Sequence, residues 1–296
     1  MTVIELIEDT AARLEAAGLS LADGFGQGTL SAFDEAAWLV LWRLGLPLDS
    51  SLDDLDSVSN RPAAQEERAQ VATLLEARIT SRKPLAYLTN EAWLQGVPFY
   101  VDERVIIPRS FIAELLVDES IDPWLSEDTN RVLDLCTGNG SLAVLTAMAY
   151  PDVAIEAADI SPDALVVARI NVDRHGLDKR ITLLESDGLA ACTGLYDLIL
   201  CNPPYVNAST MAALPAEFRA EPAIALHGGD DGMDFIRSLF LTAARHMSEN
   251  AVLVLEIGNE RANFERAFRT LQPLWFETSG GPDQVLLLTR QQLLSP

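Results

Sequence analysis

Residues 131–149 read RVLDLCTGNGSLAVLTAMA, and this stretch decides the fold class. Its first part, Val132-Leu133-Asp134-Leu135, is a short apolar run that predicts a buried strand. The glycines of Cys136-Thr137-Gly138-Asn139-Gly140 predict a tight turn in which a ligand can approach the backbone closely. The residues from Ser141 to Ala149 predict a helix that begins directly after this turn. A strand, a glycine-rich turn and a helix in this order are typical of the ligand-binding edge of an open α/β sheet.

The chain after Arg131 continues this alternation of apolar runs and helical patterns. Alternating strands and helices predict a parallel sheet with crossover helices. The two final apolar runs are separated by Gly280-Gly281-Pro282-Asp283 and predict a closing antiparallel hairpin. The remaining predicted strands are 153–158, 181–184, 196–201, 251–257, 275–278 and 285–288, and the remaining predicted helices are 162–175, 233–246 and 261–271.

The first part of the chain has a different pattern of apolar residues. Apolar residues at helical spacing predict three helices, at 3–17, 31–44 and 64–81. Short apolar and aromatic runs then alternate with glycine and proline, which predicts β-hairpin structure. The sequence therefore predicts a small helical domain at 1–83, a bridging β-hairpin at 84–110 and an α/β domain at 111–296.

Two acidic residues follow the next predicted strands of the α/β domain. Asp159 ends the second strand, where a carboxylate can accept both hydroxyls of a ribose. Asp187 follows the third strand, where an acid can meet an adenine amino group. Ala143 stands where a dinucleotide fingerprint has its third glycine, so a dinucleotide site is disfavoured. Each acid alone is more often a helix cap or a loop carboxylate, but their joint placement predicts a pocket for an adenosine without a pyrophosphate.

The tetrad Asn202-Pro203-Pro204-Tyr205 follows the fourth predicted strand. Proline fixes its own φ and biases the preceding residue to an extended conformation, so this turn is rigid. A planar amide held beside a rigid turn can bond another planar amide or an aromatic amine. The tetrad therefore indicates a site that handles an sp2 nitrogen, although a proline-rich turn that only caps a strand is the plain alternative.

The charge of the chain limits its partners. The net charge is −23, with 44 acidic residues against 21 lysines and arginines. Such a surface repels a phosphate backbone, so we expect no direct nucleic-acid substrate. A basic protein partner would be attracted instead, although acidity that serves only solubility is an equal alternative.

The sequence also predicts the cellular compartment and whether a metal is bound. The N-terminus is acidic and lacks the basic start and apolar stretch of a secretory signal, and no run is long enough to span a bilayer. We therefore expect a cytoplasmic protein with no membrane association. The three cysteines and three histidines do not form a ligand pattern, so no metal is expected.

The sheet-edge residues together resemble the class I S-adenosylmethionine-dependent methyltransferases. The tetrad resembles that of the amino-methyltransferases. The stretches AYLTNEAWLQGVPFYVDERVIIPRS (86–110) and LEIGNE (255–260) resemble the bacterial protein-(glutamine-N5) methyltransferases. Within that family these stretches are most similar to the sequences of the branch that methylates large-subunit ribosomal protein L-three. The resemblance covers the chain from about Pro84 to its end, with a looser helical match before it.

This resemblance implies a Rossmann-like, seven-stranded, mostly parallel sheet, with S-adenosylmethionine as cofactor and a helical domain that recognises the substrate. It implies cofactor contacts from Asp134, Cys136, Thr137, Gly138, Asn139, Gly140, Asp159, Ile160, Asp187, Gly188 and Asn202. It implies substrate contacts from Asn202, Pro203, Pro204, Tyr205 and Arg109, of which Asn202, Pro203 and Tyr205 are catalytic. An interdomain ion pair is the alternative for Arg109. The family also tends to place a hairpin aromatic near the sulfonium, and Trp93 is the candidate here.

Three functions remain open at this point. The first is methylation of a glutamine amide in a large-subunit ribosomal protein, a basic partner. The second uses the same chemistry on peptide-chain release factors. The third is a ribosome-assembly binding module that has kept the fold and lost the activity, against which the intact loop glycines, Asp159 and Asn202 argue.

Overall fold

The computed structural model describes residues 1–20, 25, 27–52 and 58–294. The chain forms two compact units. The first comprises Met1–Glu91 together with Pro215–Ala220, and the second comprises Ala92–Leu214 together with Glu221–Pro296. This division differs from the predicted 1–83, 84–110 and 111–296, because the first unit extends to Glu91 and includes a short segment from the second half of the chain.

The first unit is helical. Apolar side chains from its helices pack into one core, with Ile7, Leu14, Leu39 and Leu75 fully buried. Its helices are α1 (Val3–Ala16), α2 (Ala32–Arg43), α3 (Gln65–Ser81) and α4 (Leu85–Thr89). The first three confirm the helices predicted at 3–17, 31–44 and 64–81.

A buried ion-pair cluster lies in this unit. Arg78 of α3 has a fully buried side chain, and its Nε donates to Glu35 of α2 at 2.7 Å. Glu217, from the 215–220 segment, pairs with Arg82 at 2.6 Å and with Arg78 at 3.4 Å. A buried carboxylate left without its cation is strongly destabilising, so these pairs hold the segment in the helical unit.

The bridging stretch is only partly a hairpin. Strands β1 (Ala92–Leu94) and β2 (Val97–Phe99) pair antiparallel across Gln95 and Gly96, which both have positive φ. The β-hairpin structure predicted at 84–110 does not include Leu85–Leu88, since these residues form α4 and Leu85 packs into the helical core. A short apolar run does not distinguish a strand from a buried helical turn.

The second unit is built on a seven-stranded sheet in the order β5-β4-β3-β6-β7-β9-β8. Its strands are β3 (Arg131–Leu135), β4 (Ala154–Asp159), β5 (Ile181–Glu185), β6 (Tyr196–Cys201), β7 (Met247–Glu256), β8 (Leu274–Thr278) and β9 (Gly281–Thr289). Strands β3 to β7 pair in parallel, and β9 pairs antiparallel with β7 and β8. The predicted α/β class, with a mostly parallel sheet and a closing antiparallel hairpin, is confirmed.

The strand order reverses between β3 and β6, which are neighbours in the sheet. The chain runs outward from β3 through β4 to β5, and then returns to place β6 on the other side of β3. Open α/β sheets bind ligands outside the carboxyl ends of the strands at such a switch point. The glycine-rich loop after β3 and the tetrad after β6 both lie there.

Helices cover the sheet, and the buried apolar residues form two clusters in this unit. The helices are α5 (Ile112–Val117), α6 (Ser141–Ala149), α7 (Pro162–Arg174), α8 (Ala208–Ala213), α9 (Asp234–Thr242), α10 (Arg261–Ala267) and α11 (Arg290–Leu294). The sequence missed α8 and α11. Across the described residues, none of the helices combines the length and the apolar character needed to cross a bilayer.

Candidate active site

A cavity of about 480 Å³ opens at the carboxyl edge of the parallel strands. Its walls come from the loops after β3, β4, β5 and β6, from residues 104–110 and from the loop between β6 and α9. The predicted site residues that line it are Cys136, Thr137, Gly138, Asn139, Asp159, Ile160, Asp187, Gly188, Asn202, Pro204 and Arg109. The structure therefore brings most of the predicted residues to one cavity, while Asp134, Gly140, Pro203 and Tyr205 do not line it.

The glycine-rich loop uses the left-handed region of backbone conformation. Gly138 and Gly140 have φ of 56° and 80°. A Cβ on Gly138 would meet no atom within 4 Å, so it would project into open space beside the cavity. A Cβ on Gly140 would lie 3.2 Å from the Cβ of Ala168 in α7. Gly138 thus leaves the backbone accessible to a ligand, whereas Gly140 allows the close packing of two helices.

Asp134 lies beneath this loop. Its side chain is fully buried, and Oδ2 accepts hydrogen bonds from the Thr137 hydroxyl and from the backbone N–H of Ala143 at 3.0 Å. Its Oδ1 has no hydrogen-bond partner, and burial raises the pKa of the carboxyl to about 7. Asp134 does not line the cavity, and both of its hydrogen bonds go to residues of the loop and of the helix that follows it.

Asp159 ties the end of β4 to the loop. Its Oδ2 accepts from the backbone N–H of Gly138 at 2.9 Å, and its Oδ1 accepts from that of Ser161 at 2.9 Å. Burial raises the pKa of this carboxyl. Each carboxylate oxygen keeps a second lone pair. A carboxylate held in this way at the cavity wall can accept a pair of vicinal hydroxyls.

Two loops complete the cavity wall beside Asp159. Ile160 is exposed and lines the cavity after Asp159. Asp187 and Gly188 line it after β5, and the buried Ser186 hydroxyl donates to the carbonyl of Gly188 at 2.7 Å. These residues offer an apolar surface and an acceptor, which suit an adenine ring with its amino group.

The tetrad presents only part of itself to the cavity. Asn202 and Pro204 line it, whereas Pro203 is buried and does not. The Tyr205 hydroxyl donates to Oε1 of Glu256 at 3.3 Å, away from the lining residues. Apart from its place in the LEIGNE stretch, no sequence pattern predicted Glu256 as part of the site.

Arg109 lines the cavity, but its guanidinium is engaged. Nη1 and Nη2 donate to the two carboxylate oxygens of Glu221 at 2.5 and 2.7 Å. The backbone N–H of Ile107 donates to the same carboxylate at 3.0 Å. Arg109 and Glu221 both lie within the second unit. The pair holds the loop before α9 against the 104–110 segment.

Asn171 of α7 is a further positioning side chain that the sequence did not reveal. It is fully buried, and its amide donates to the backbone carbonyls of Tyr100 at 3.0 Å and Asn139 at 2.8 Å. Its Oδ1 accepts from the N–H of Tyr100 at 2.7 Å. Trp93, the aromatic candidate for the sulfonium, is 42% exposed and does not line the cavity.

Comparison with known proteins identifies the family. Residues 113–262 match the family model described as Methyltransferase small domain. A ribosomal protein uL3 glutamine methyltransferase of Bordetella pertussis is 49% identical over 295 residues, which cover 99% of this chain and 96% of the relative. The chain belongs to the ribosomal protein uL3 glutamine methyltransferase family. The relative of the same name from Neisseria meningitidis serogroup A is 46% identical over 99% of this chain and 94% of its own.

The fold agrees with membership of the uL3 glutamine methyltransferase family. The solved hMettl16 catalytic domain, in complex with MAT2A 3′UTR hairpin 6, aligns with a TM-score of 0.52 at 13% identity. The alignment covers 80% of this chain and 85% of that one, and at this identity it shows the fold alone. The chain is an S-adenosylmethionine-dependent methyltransferase with the class I fold.

The cavity residues fit this cofactor. The volume of about 480 Å³ lies within the ordinary range for small-molecule sites. The open backbone at Gly138, the carboxylate of Asp159 and the surface of Ile160 and Asp187 would hold its amino-acid, ribose and adenine parts. In the described residues, no group of three His, Cys, Asp or Glu side chains is placed to hold a metal ion.

Proposed function

We propose that this chain methylates the side-chain amide nitrogen of a glutamine in ribosomal protein uL3. The observation that carries the proposal is that Asn202 lines the same cavity as the glycine-rich loop after β3. Support for the acceptor comes from curated relatives that are 40–49% identical over nearly the whole chain and bear the name of this activity.

The amide nitrogen of glutamine is a weak nucleophile, because its lone pair is delocalised into the carbonyl. S-adenosylmethionine, when bound, supplies an electrophilic methyl group, whose bond to sulfur breaks as its bond to nitrogen forms, with S-adenosylhomocysteine as the leaving group. In this proposal Asn202 Oδ1 accepts one amide hydrogen. The backbone carbonyl of Pro203, whose ring is buried between the lining residues Asn202 and Pro204, accepts the other, and together they orient the nitrogen. Positive charge that accumulates on this nitrogen strengthens both hydrogen bonds in the transition state. The nitrogen becomes acidic as it gains the methyl group, so its proton passes to solvent without a dedicated base.

Orientation supplies a large share of the acceleration. Holding two reacting groups in the correct geometry is worth roughly 7 to 11 kcal/mol. The two prolines that follow Asn202 and the Arg109–Glu221 pair keep this geometry rigid. We propose the cofactor contacts that the resemblance implies for Cys136, Thr137, Asn139, Gly188 and Asn202. We assign Asp134 and Gly140 to supporting the glycine-rich loop.

The acceptor is proposed to be a basic protein that the acidic surface attracts. A net charge of −23 favours encounter with a cationic partner and disfavours a direct nucleic-acid substrate. We assign substrate recognition to the helical part of the chain, predicted at 1–83, and the reaction to the cytoplasm, where ribosomal proteins are made. No role for a membrane or a metal is proposed.

Transfer of labelled methyl groups tests the proposal. The full chain is incubated with labelled S-adenosylmethionine and, separately, with isolated uL3, assembled large subunits and release factors. Label in uL3, mapped by mass spectrometry to a glutamine amide, is the expected result. Label only in release factors would move the chain to the sister activity, and label in none of them would indicate a silent binding module.

A pair of asparagine variants assigns the chemistry to the tetrad. Asn202→Ala is expected to abolish transfer while it keeps calorimetric binding of S-adenosylhomocysteine within a few-fold of the unaltered chain. Asn130→Ala, at the amino end of β3, is the matched control, because Asn130 is exposed and does not line the cavity. Near-normal turnover of Asn202→Ala would exclude the proposed role of this side chain.

A further inference from the structure

Glu256 ends β7 beside the tetrad. In the parallel pairing of β6 with β7, Leu255 lies opposite Cys201. Glu256 is therefore one residue further along, at the edge where Asn202 begins the tetrad. Its side chain is 1% exposed. Burying a carboxylate is costly unless several donors bond to it. The donors that bond to Glu256 therefore identify the groups that its carboxylate holds in place.

Three donors converge on this carboxylate. The hydroxyl of Ser110 and the backbone N–H of Phe111 donate to Oε2 at 2.6 and 2.9 Å. The hydroxyl of Tyr205 donates to Oε1 at 3.3 Å. Burial raises the pKa of this carboxyl, and the hydrogen bonds from these donors oppose that shift. Glu256 therefore joins the end of the 104–110 wall to the last residue of the tetrad.

The ring of Tyr205 packs on backbone rather than on the cavity. Gly258 has a φ of 53°, and a Cβ there would lie 2.5 Å from Cε2 of the Tyr205 ring. The ring thus rests directly on the backbone after β7. Tyr205 is absent from the cavity wall that Asn202 and Pro204 form. One end of the side chain is fixed by Gly258, and the other is fixed by Glu256.

We propose that Tyr205 is a positioning residue, which anchors the tetrad through its hydroxyl to Glu256 instead of packing its ring against the acceptor amide. Two prolines separate Tyr205 from Asn202, and their fixed φ transmits the anchored position to the asparagine. This inference rests on the proposed function, in which Asn202 orients the amide. It assigns Glu256 to the same positioning network, because its carboxylate receives the anchoring hydroxyl.

Tyr205→Phe separates the two roles, because it keeps the ring and removes only the hydroxyl. If the hydroxyl anchors the tetrad, kcat falls roughly tenfold, as expected when a buried carboxyl oxygen loses its hydrogen-bond donor. The KM for S-adenosylmethionine stays within about twofold, since the phenol does not line the cavity. A ring that only packs against the acceptor would leave kcat unchanged in this variant.

A double-mutant cycle with Glu256→Gln identifies the partner. Glutamine keeps the shape but has one acceptor oxygen, which the Phe111 N–H needs, so its amide nitrogen replaces the acceptor of the Tyr205 hydroxyl. Tyr205→Phe is therefore expected to lower kcat by only about threefold or less in that background. The matched control is the pair of Tyr196 and Glu156, which make the same hydroxyl-to-carboxylate bond at 3.0 Å and do not line the cavity. Tyr196→Phe and Glu156→Gln are expected to leave kcat within about twofold.

The same cycle is run on thermal unfolding without any acceptor. Coupling between Tyr205 and Glu256 in both unfolding and kcat supports the anchor. Wild-type kcat in Tyr205→Phe, or additive effects of the two substitutions, overturns it. Failure of the unaltered chain to label uL3 would instead count against the proposed function, and the unfolding cycle would still report whether the hydroxyl and the carboxylate interact.

Discussion

Replacing Asp134 with asparagine is expected to change how the stability of the ligand-free protein depends on pH. The carboxyl is fully buried beneath the glycine-rich loop, and its Oδ1 has no hydrogen-bond partner. Burial favours the protonated form, which raises the pKa from 3.8 to about 7. This shift in pKa corresponds to about 4 kcal/mol of unfolding free energy.

The sign follows from the raised pKa. The folded protein binds this proton more tightly than the unfolded chain does, so folding is most favoured when the carboxyl is protonated. This stabilisation is fully present below pH 3.8 and is lost as the pH rises to about 7. Asparagine does not titrate, and its amide can still accept from Thr137 and Ala143 at the position of Oδ2.

Urea unfolding of both proteins at several pH values measures the effect. From about pH 4 to about pH 8, the difference in unfolding free energy should change by about 4 kcal/mol in favour of Asp134→Asn. The new amide N–H2 has no acceptor at the position of Oδ1, which costs about 1–3 kcal/mol at every pH. Asp128→Asn, at an exposed aspartate, is the control and should run parallel to the unaltered chain. A difference between Asp134→Asn and the unaltered chain that does not vary with pH would refute the reasoning.

Three other substitutions test the supports of the site. Asp159→Ala removes the acceptor of the Gly138 N–H and should weaken binding of S-adenosylhomocysteine roughly tenfold or more, measured by calorimetry. Glu221→Gln leaves the partly exposed Arg109 without its carboxylate, and should lower the unfolding free energy by about 2 kcal/mol in a denaturant titration. Gly140→Ala forces a positive φ and a close contact with α7, so the midpoint of thermal unfolding should fall by several degrees, an expected cost of about 1–2 kcal/mol.

The sequence predicted the sheet well because parallel strands covered on both faces read as short apolar runs. The runs at 153–158, 181–184 and 196–201 became β4, β5 and β6 with end points shifted by at most one residue. The β-hairpin prediction was wrong at 85–88, because an apolar run is also typical of a buried helical turn. The apolar residues of this run are buried in the helical core, and burial alone carries no information about backbone period.

The site residues likewise fall into those that the sequence predicts and those that it does not. Residues at strand ends, such as Asp159 and Asn202, were predictable because the topology alone brings them to one edge. Pairs between distant positions were not: Arg109 and Glu221 are 112 positions apart, and no local pattern links them. Side-chain direction was also hidden, since Asp134 ends up beneath the loop and Tyr205 against Gly258.

Sheet register explains why the reaction is placed at this edge. Leu135 of β3 lies opposite Cys201 of β6, so the loop and the tetrad each begin one residue beyond a paired position. Neighbouring strands lie about 4.8 Å apart, so the loop and the tetrad leave the sheet side by side. The bond from the Gly138 N–H to Asp159 and the bond from the Tyr205 hydroxyl to Glu256 then hold the loop and the tetrad at this shared edge.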